Sequence, residues 1–112
     1  MPVTASAIAR FGVRVAISAL MAYTTHAAHC AESAAVTIDN FTFQPAALTV
    51  KAGTTVTWTN HDDIPHAVVS AGTFRSKALD TDQSYSFTFT APGDYSYFCS
   101  LHPHMTGTVK VE

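Results

Sequence analysis

The sequence is short of cysteine, of basic residues and of long apolar runs, and each shortage excludes a class of protein. Its 112 residues contain 2 cysteines, too few for a fold held by several disulfides. Lys and Arg number 6 against 8 acidic residues, without a basic patch, so nucleic acid is not an expected partner. The longest apolar stretch, near residues 15–23, is too short to span a bilayer.

The N-terminal quarter is organised like a segment that is removed on export. Arg10 and Arg14 precede the apolar stretch, and an alanine-rich segment follows it. This order is typical of a secretory signal peptide, so we assign residues 1–31 to a signal peptide and expect the mature protein in the periplasm. Cleavage after Ala27, Ala28 or Ala31 fits this assignment. A buried N-terminal helix, or lipidation at Cys30, are the alternatives.

Residues 32–112 then form a single small domain with few charges. Eight acidic residues remain against four basic ones, a net charge of about −4. Cys99 is the single cysteine of this segment. Because it has no partner for a disulfide, it is either a small buried hydrophobe or a metal ligand.

The pattern of residues 32–112 indicates short strands separated by turns. In residues 84–90, Tyr85, Phe87 and Phe89 alternate with serine and threonine, and residues 54–59 alternate in the same way. We find no helical periodicity of useful length, so the chain is expected to be all-β, an antiparallel sandwich of six or seven strands. Residues 66–70 are predicted as one strand. Residues 35–43 are predicted as another, with a bulge at Asp39 and Asn40, where the apolar parity shifts.

The chemistry of the chain concentrates in a short segment near its C-terminus. Cys99, His102 and Met105 follow one another at intervals of three residues, and His66 supplies a further imidazole upstream. Two histidines, a cysteine and a weak axial methionine are the ligands of a blue-copper electron-transfer site. Strand parity turns Cys99 inward with Tyr95 and Tyr97, so one short loop can place three donors around an ion. The set therefore predicts a copper site.

Each of these residues also has an ordinary structural interpretation. A lone cysteine or methionine is most often core, and a lone histidine is most often a loop residue. The argument for copper therefore rests on the set. His104 should point away from the ion, while His61, Asp62 and Asp63 are most simply a solvated loop, with an accessory cation site as the alternative.

The chain resembles the cupredoxin (blue copper) family, and within it the amicyanin and plastocyanin group. The resemblance covers residues 34–112 and rests on PHAV at 65–68, VTWTN at 56–60 and APGDYSYFCSLHPHMTG at 91–107. It implies a Greek-key β-sandwich with one type 1 copper ion, Cu(I) or Cu(II), that carries single electrons. By resemblance, His66, Cys99 and His102 are the strong ligands and Met105 is the long axial ligand.

The resemblance also implies where redox partners bind. A redox donor and acceptor, such as a dehydrogenase or a c-type cytochrome, would dock on an apolar patch near the exposed edge of His102, to which Leu101 and Pro103 contribute. One departure concerns Ala67, because many relatives carry a polar residue directly after the first histidine. Asn60 is a candidate to supply the missing rigidity, and an ordinary turn role is the alternative.

Two other functions compete with electron transfer. A periplasmic copper carrier or scavenger would also need export and copper donors, but such proteins tend to be rich in methionine or histidine. A copper enzyme needs an open coordination position or a second metal centre, and the sequence provides no second histidine cluster. We therefore expect a monomeric electron carrier that is not an enzyme and has no membrane span.

Overall fold

A computed structural model describes residues 32–112, which form nine β-strands and no helix. The assignment of residues 1–31 to a signal peptide lies outside the described residues. The strands are β1 Ser33–Asp39, β2 Thr42–Gln44, β3 Ala47–Val50, β4 Thr54–Asn60, β5 Val69–Ser70, β6 Phe74–Arg75, β7 Ser84–Phe89, β8 Gly93–Phe98 and β9 Thr106–Val111. Within residues 32–112, no helix is long and apolar enough to cross a membrane.

The strands form two sheets that pack as the predicted sandwich, although nine strands are present where six or seven were expected. One sheet has the order β2-β1-β4-β7 and the other the order β3-β9-β8-β5-β6. The expectation of a purely antiparallel arrangement is wrong, because β1 pairs with β4, and β3 with β9, in parallel. The chain leaves β1 through β2 and β3, the latter in the opposite sheet, and this excursion supplies the crossover that a parallel pair requires.

The core lies between the sheets and is built by the alternation predicted for β4, β7 and β8. Trp58 is fully buried, and Phe89 and Tyr97 are nearly so, while the serines and threonines of β7 face outward. The ring of Trp58 stands edge-on to that of Tyr97, with 5.4 Å between their centroids. Cys99 follows β8 on the inward parity and is fully buried, as expected.

The predicted bulge at Asp39 and Asn40 is instead a tight hairpin turn. Strands β1 and β2 pair antiparallel, with Asp39 opposite Thr42, so Asn40 and Phe41 alone form the turn. Both have positive φ, 51° and 57°, the conformation that two-residue hairpins require. Asparagine tolerates it, whereas a bulky side chain rarely does. The sequence pattern concealed the hairpin because the second turn position holds phenylalanine rather than glycine.

The predicted strand at residues 66–70 is shorter than expected. Only Val69–Ser70 forms a strand, β5, while His66 makes an isolated bridge to Leu79. The backbone N–H of Val68 donates to the Ser76 hydroxyl at 2.8 Å instead of to a neighbouring strand. A hydrogen bond from a backbone N–H to a side chain cannot be read from an alternation pattern, which explains why the strand is shorter than predicted.

Candidate metal centre

Three of the four predicted ligands meet at one end of the sandwich. The Nδ1 atoms of His66 and His102 are 3.2 Å apart, and each lies 3.7 Å from Sγ of Cys99. These residues come from two separate chain segments, so the fold, and not the sequence spacing alone, brings them together. They are the group of possible metal-ligating His, Cys, Asp and Glu side chains found among residues 32–112.

A compact set of backbone hydrogen bonds closes the loop that carries the other donors. The N–H of Cys99 donates to the carbonyl of Met105 at 3.0 Å, and the N–H of Met105 donates to the carbonyl of His102 at 2.9 Å. The N–H of His102 in turn donates to the carbonyl of Cys99 at 3.2 Å. The loop is therefore tied at both ends and in its middle. Met105 is buried in the same apolar cluster as Cys99.

His66 is held by both its backbone and its ring. It is fully buried, and its N–H and carbonyl both bond to Leu79, at 3.1 and 2.6 Å. Its Nε2 lies 2.7 Å from Oδ2 of Asp62. An ionised carboxylate can only accept hydrogen bonds, so Nε2 carries the hydrogen, which leaves the lone pair of Nδ1 facing Cys99. This is the tautomer that a metal ligand needs.

The interpretation of Asp62 as part of a solvated loop is wrong. Besides the ring of His66, its carboxylate accepts the N–H groups of Asn40 at 2.7 Å and Phe41 at 3.0 Å. Burial raises the pKa of Asp62, but the hydrogen bonds from Phe41, His66 and Asn40 outweigh it, so the net pKa is lowered. The sequence did contain a signal for this contact, because Asp62 lies four residues before the candidate ligand His66.

Asn60 organises the loop that precedes His66. Its side chain is fully buried, and its amide donates to the carbonyls of Ile64 at 2.8 Å and Leu79 at 2.9 Å. Its Oδ1 accepts the N–H of Asp62 at 2.9 Å. Residue 67, where relatives often carry a polar side chain, is alanine, and its backbone N–H lies 3.3 Å from Sγ of Cys99. The hydrogen bonds of Asn60 thus hold the loop before His66 without a polar side chain at residue 67.

The outer side of the cluster is apolar. His102 is half-buried, and Phe41 and Leu101 are exposed by 49% and 51%. The ring of Phe41 stands edge-on to His66 and His102, with centroids 5.4 and 5.3 Å away. Sequence analysis missed Phe41, because nothing in the spacing of β1 and β2 indicates that their turn reaches the histidines.

The remaining histidines of the described segment lie outside the cluster, as expected. His104 is exposed and does not belong to the donor group. His61 is also exposed, and its Nδ1 lies 3.6 Å from a carboxylate oxygen of Asp82. Neither contributes to the site.

The donor set suits copper better than zinc. Metal–nitrogen bonds of about 2.0 Å and metal–sulfur bonds of about 2.3 Å allow donor separations up to about 4.0 and 4.3 Å, and the observed 3.2 and 3.7 Å fall within these limits. Structural zinc sites use four strong nitrogen, sulfur or oxygen donors, and catalytic zinc sites use three with a fourth position open to water; neither uses a thioether. In the described part of the chain the cluster offers three such donors. Three strong donors beside a buried thioether are typical of a trigonal copper site.

Comparisons with known proteins agree with this geometry. A family model described as a cupredoxin-like domain matches residues 12–111. Amicyanin-alpha of Methylorubrum extorquens is 38% identical over 114 residues, which cover 96% of this chain and 95% of that protein. Chloroplastic plastocyanin of Tetradesmus obliquus is 39% identical over 85 residues, 62% of this chain and 58% of that one. A solved amicyanin variant in its oxidised state has a TM-score of 0.69 at 38% identity, covering 71% and 82% of the two chains.

Proposed function

Since this chain belongs to the cupredoxin-like family, we propose that it is a type 1 (blue) copper protein that carries single electrons between redox proteins. The observation that carries the proposal is the triangle of His66 Nδ1, Cys99 Sγ and His102 Nδ1. These three are the strong ligands, and Met105 is the axial ligand. When bound, the copper ion supplies the redox chemistry by changing between Cu(II) and Cu(I).

The chain's contribution is a set of donors that hardly moves. His66 is held by Leu79 and Asp62, and loop 99–105 is closed by its own backbone hydrogen bonds. The N–H of Ala67, 3.3 Å from the sulfur of Cys99, stabilises negative charge there. Little reorganisation is then needed when the charge of the site changes by one unit, which favours fast electron transfer.

Electrons pass through the exposed edge of His102. The apolar side chains of Phe41 and Leu101 flank this edge, and Pro103 is exposed beside it. A redox partner, such as a dehydrogenase or a c-type cytochrome, docks there through a small transient interface. The protein works as a monomer in the periplasm, after removal of residues 1–31.

A type 1 site of this kind does not act on a substrate, because a substrate needs an open coordination position on the ion. Here the protein donors bind the ion, and side chains cover the access to it. We therefore propose an electron carrier and not an enzyme. The competing function, copper storage or scavenging, differs in what it requires of the metal. It needs tight binding, but no reversible change of oxidation state.

Addition of Cu(II) to the purified mature protein separates these functions. An electron carrier gives an intense blue thiolate-to-copper absorption and a reversible one-electron couple. A colourless complex, or tight Cu(I) binding without a stable Cu(II) form, would overturn the proposal. Cys99→Ser should abolish the blue colour, whereas His104→Ala, a matched change at an exposed histidine of the same loop, should leave it intact. A blue Cys99→Ser protein would show that the ligand assignment is wrong.

A further inference from the structure

The carboxylate of Asp62 joins two parts of the chain that are distant in sequence. Oδ1 accepts the N–H of Asn40, and Oδ2 accepts both the N–H of Phe41 and Nε2–H of His66. Three donors thus converge on two oxygens. An amide side chain has only one acceptor oxygen, so it cannot satisfy all three.

Asp62 is itself anchored from the side opposite its carboxylate. Its backbone N–H donates to Oδ1 of Asn60 at 2.9 Å, and its carbonyl accepts the hydroxyl of Thr81 at 2.6 Å. Asn60 in turn is fully buried. The carboxylate is therefore held in place by the core and does not follow the turn that it contacts.

The turn that Asp62 contacts needs such support. Phe41 has a φ of 57°, which a bulky side chain rarely adopts, and both turn N–H groups point at the carboxylate. The same conformation places the Phe41 ring against His66 and His102, whose own centroids are 4.9 Å apart. Three rings are thus in mutual edge contact, and two of them are held through one carboxylate.

We propose that Asp62 is a positioning residue that couples the β1–β2 turn to the copper ligands. It sets the tautomer of His66 and, through the turn, fixes the Phe41 ring that restrains the half-buried ring of His102. The inference deepens the proposed function and rests on it where copper is concerned. The tautomer and the coupling are properties of the metal-free protein and do not depend on copper.

The first test reads the tautomer of His66 in the metal-free protein. Long-range proton–nitrogen spectra of the neutral imidazole should show hydrogen on Nε2 of His66. In Asp62→Ala, Nε2–H of His66 loses its acceptor, whereas a hydrogen on Nδ1 can donate to Sγ of Cys99, 3.7 Å away, or to Nδ1 of His102, 3.2 Å away. The hydrogen should therefore move to Nδ1. Asp63→Ala, the same change at the neighbouring exposed carboxyl, should leave it on Nε2.

The outcomes of this test are unambiguous. Hydrogen on Nδ1 of His66 in the wild-type protein, or an unchanged tautomer in folded Asp62→Ala, would overturn the proposal. If Asp62→Ala does not fold, the wild-type spectrum still decides the tautomer, and Asp62→Glu, which keeps the carboxylate, provides a rescue variant. Rescue should restore hydrogen to Nε2, and a persistent Nδ1–H in folded Asp62→Glu would count against a role of the carboxylate.

The second test measures the coupling to Phe41. Asp62→Ala should shift the backbone amide signals of Asn40 and Phe41 in the metal-free protein, because both N–H groups lose their acceptor. Phe41→Leu should shift the ring nitrogens of His102 without moving the hydrogen of His66, because it removes the ring that stands against His102. Unchanged turn amides in Asp62→Ala, or unchanged His102 nitrogens in Phe41→Leu, would refute the coupling.

The third test uses Cu(II) competition with a chelator. Asp62→Ala should lower the Cu(II) affinity by roughly 10- to 100-fold, the usual effect of losing the partner of a ligating histidine, while Asp63→Ala should not. Equal affinities would contradict the positioning role. If the wild-type protein binds Cu(II) without blue colour but the tautomer moves as expected, the proposed function fails and the role of Asp62 stands.

Discussion

Substitution of Gly107 by alanine should destabilise the domain strongly. Gly107 of β9 lies directly opposite Tyr97 of β8. A Cβ built on Gly107 would overlap the Cζ and hydroxyl of Tyr97 and lie 2.8 Å from Cε2. Real Cβ atoms essentially never come closer than 3.0 Å to a neighbour, so something must shift.

The ring of Tyr97 has no room to move away. It is 2% exposed, and it packs edge-on against Phe43 and Trp58, with centroids at 4.7 and 5.4 Å. Overpacking of a core typically costs about 1–3 kcal/mol, and because the neighbours here are large rings, we expect about 3 kcal/mol. For a domain of this size that corresponds to a fall in Tm of more than about 10 °C.

The assay is urea and thermal unfolding of the metal-free protein, analysed as a double-mutant cycle. Tyr97→Leu shortens the opposing side chain, so Gly107→Ala should cost clearly less in that background than in the wild type. Thr106→Ala, an exposed change in the same strand, is the matched control and should cost less than about 0.5 kcal/mol. A loss below about 1 kcal/mol for Gly107→Ala, or strict additivity with Tyr97→Leu, would refute the reasoning.

Three further predictions concern the core and the site. Tyr97→Phe should raise stability by up to about 1 kcal/mol in urea unfolding, because the buried hydroxyl has no hydrogen-bond partner among residues 32–112. Burial raises the pKa of Tyr97 above its value in the unfolded chain. The free energy of unfolding is therefore unaffected by this group below about pH 10 and falls as the pH rises further, because the unfolded chain loses the phenol proton first. Tyr97→Phe should lose less stability at alkaline pH, and identical pH profiles would contradict this. Asn60→Ala should cost about 3 kcal/mol in the same assay, since it leaves the carbonyl of Ile64 and the N–H of Asp62 without their partners, and a cost below about 1 kcal/mol would show that water replaces the amide. Met105→Gln should retain copper but lower its reduction potential in voltammetry, and an unchanged potential would argue against an axial thioether.

Much of the fold follows from local patterns. The alternation in β4, β7 and β8 identified the inward faces correctly, because one side of each strand meets the core and the other meets solvent. Trp58 and Phe89 were placed by parity alone, and both are buried. The parallel pairing of β1 with β4 was not predictable in this way. Alternation shows which face of a strand is buried, but it does not show which strand lies beside it, because that depends on the path of the connection between the two sheets.

The metal site was also predictable only in part. Cys99, His102 and Met105 could be proposed from spacing, because one short loop carries all three and its length limits how far apart they can lie. The contacts of Asp62 and Phe41 with each other's segments could not, because these segments lie about 20 residues apart in sequence. Asp62 looked like a solvated acidic residue. Its place four residues before His66 was a local signal, but its hydrogen bonds to the turn arise only from the folded geometry.

The amino-acid sequence alone thus specified a small all-β domain, an inward-facing cysteine and the chemical identity of the copper donors, since side-chain type and strand parity are local properties. The three-dimensional fold decided which atoms meet. It brought Nδ1 of His66 to within 3.2 Å of Nδ1 of His102, gave His66 its tautomer through Asp62, and set Phe41 against both imidazoles. The contacts of His66 with His102 and of Phe41 with both imidazoles join distant segments, so their geometry depends on the packing of the whole sandwich.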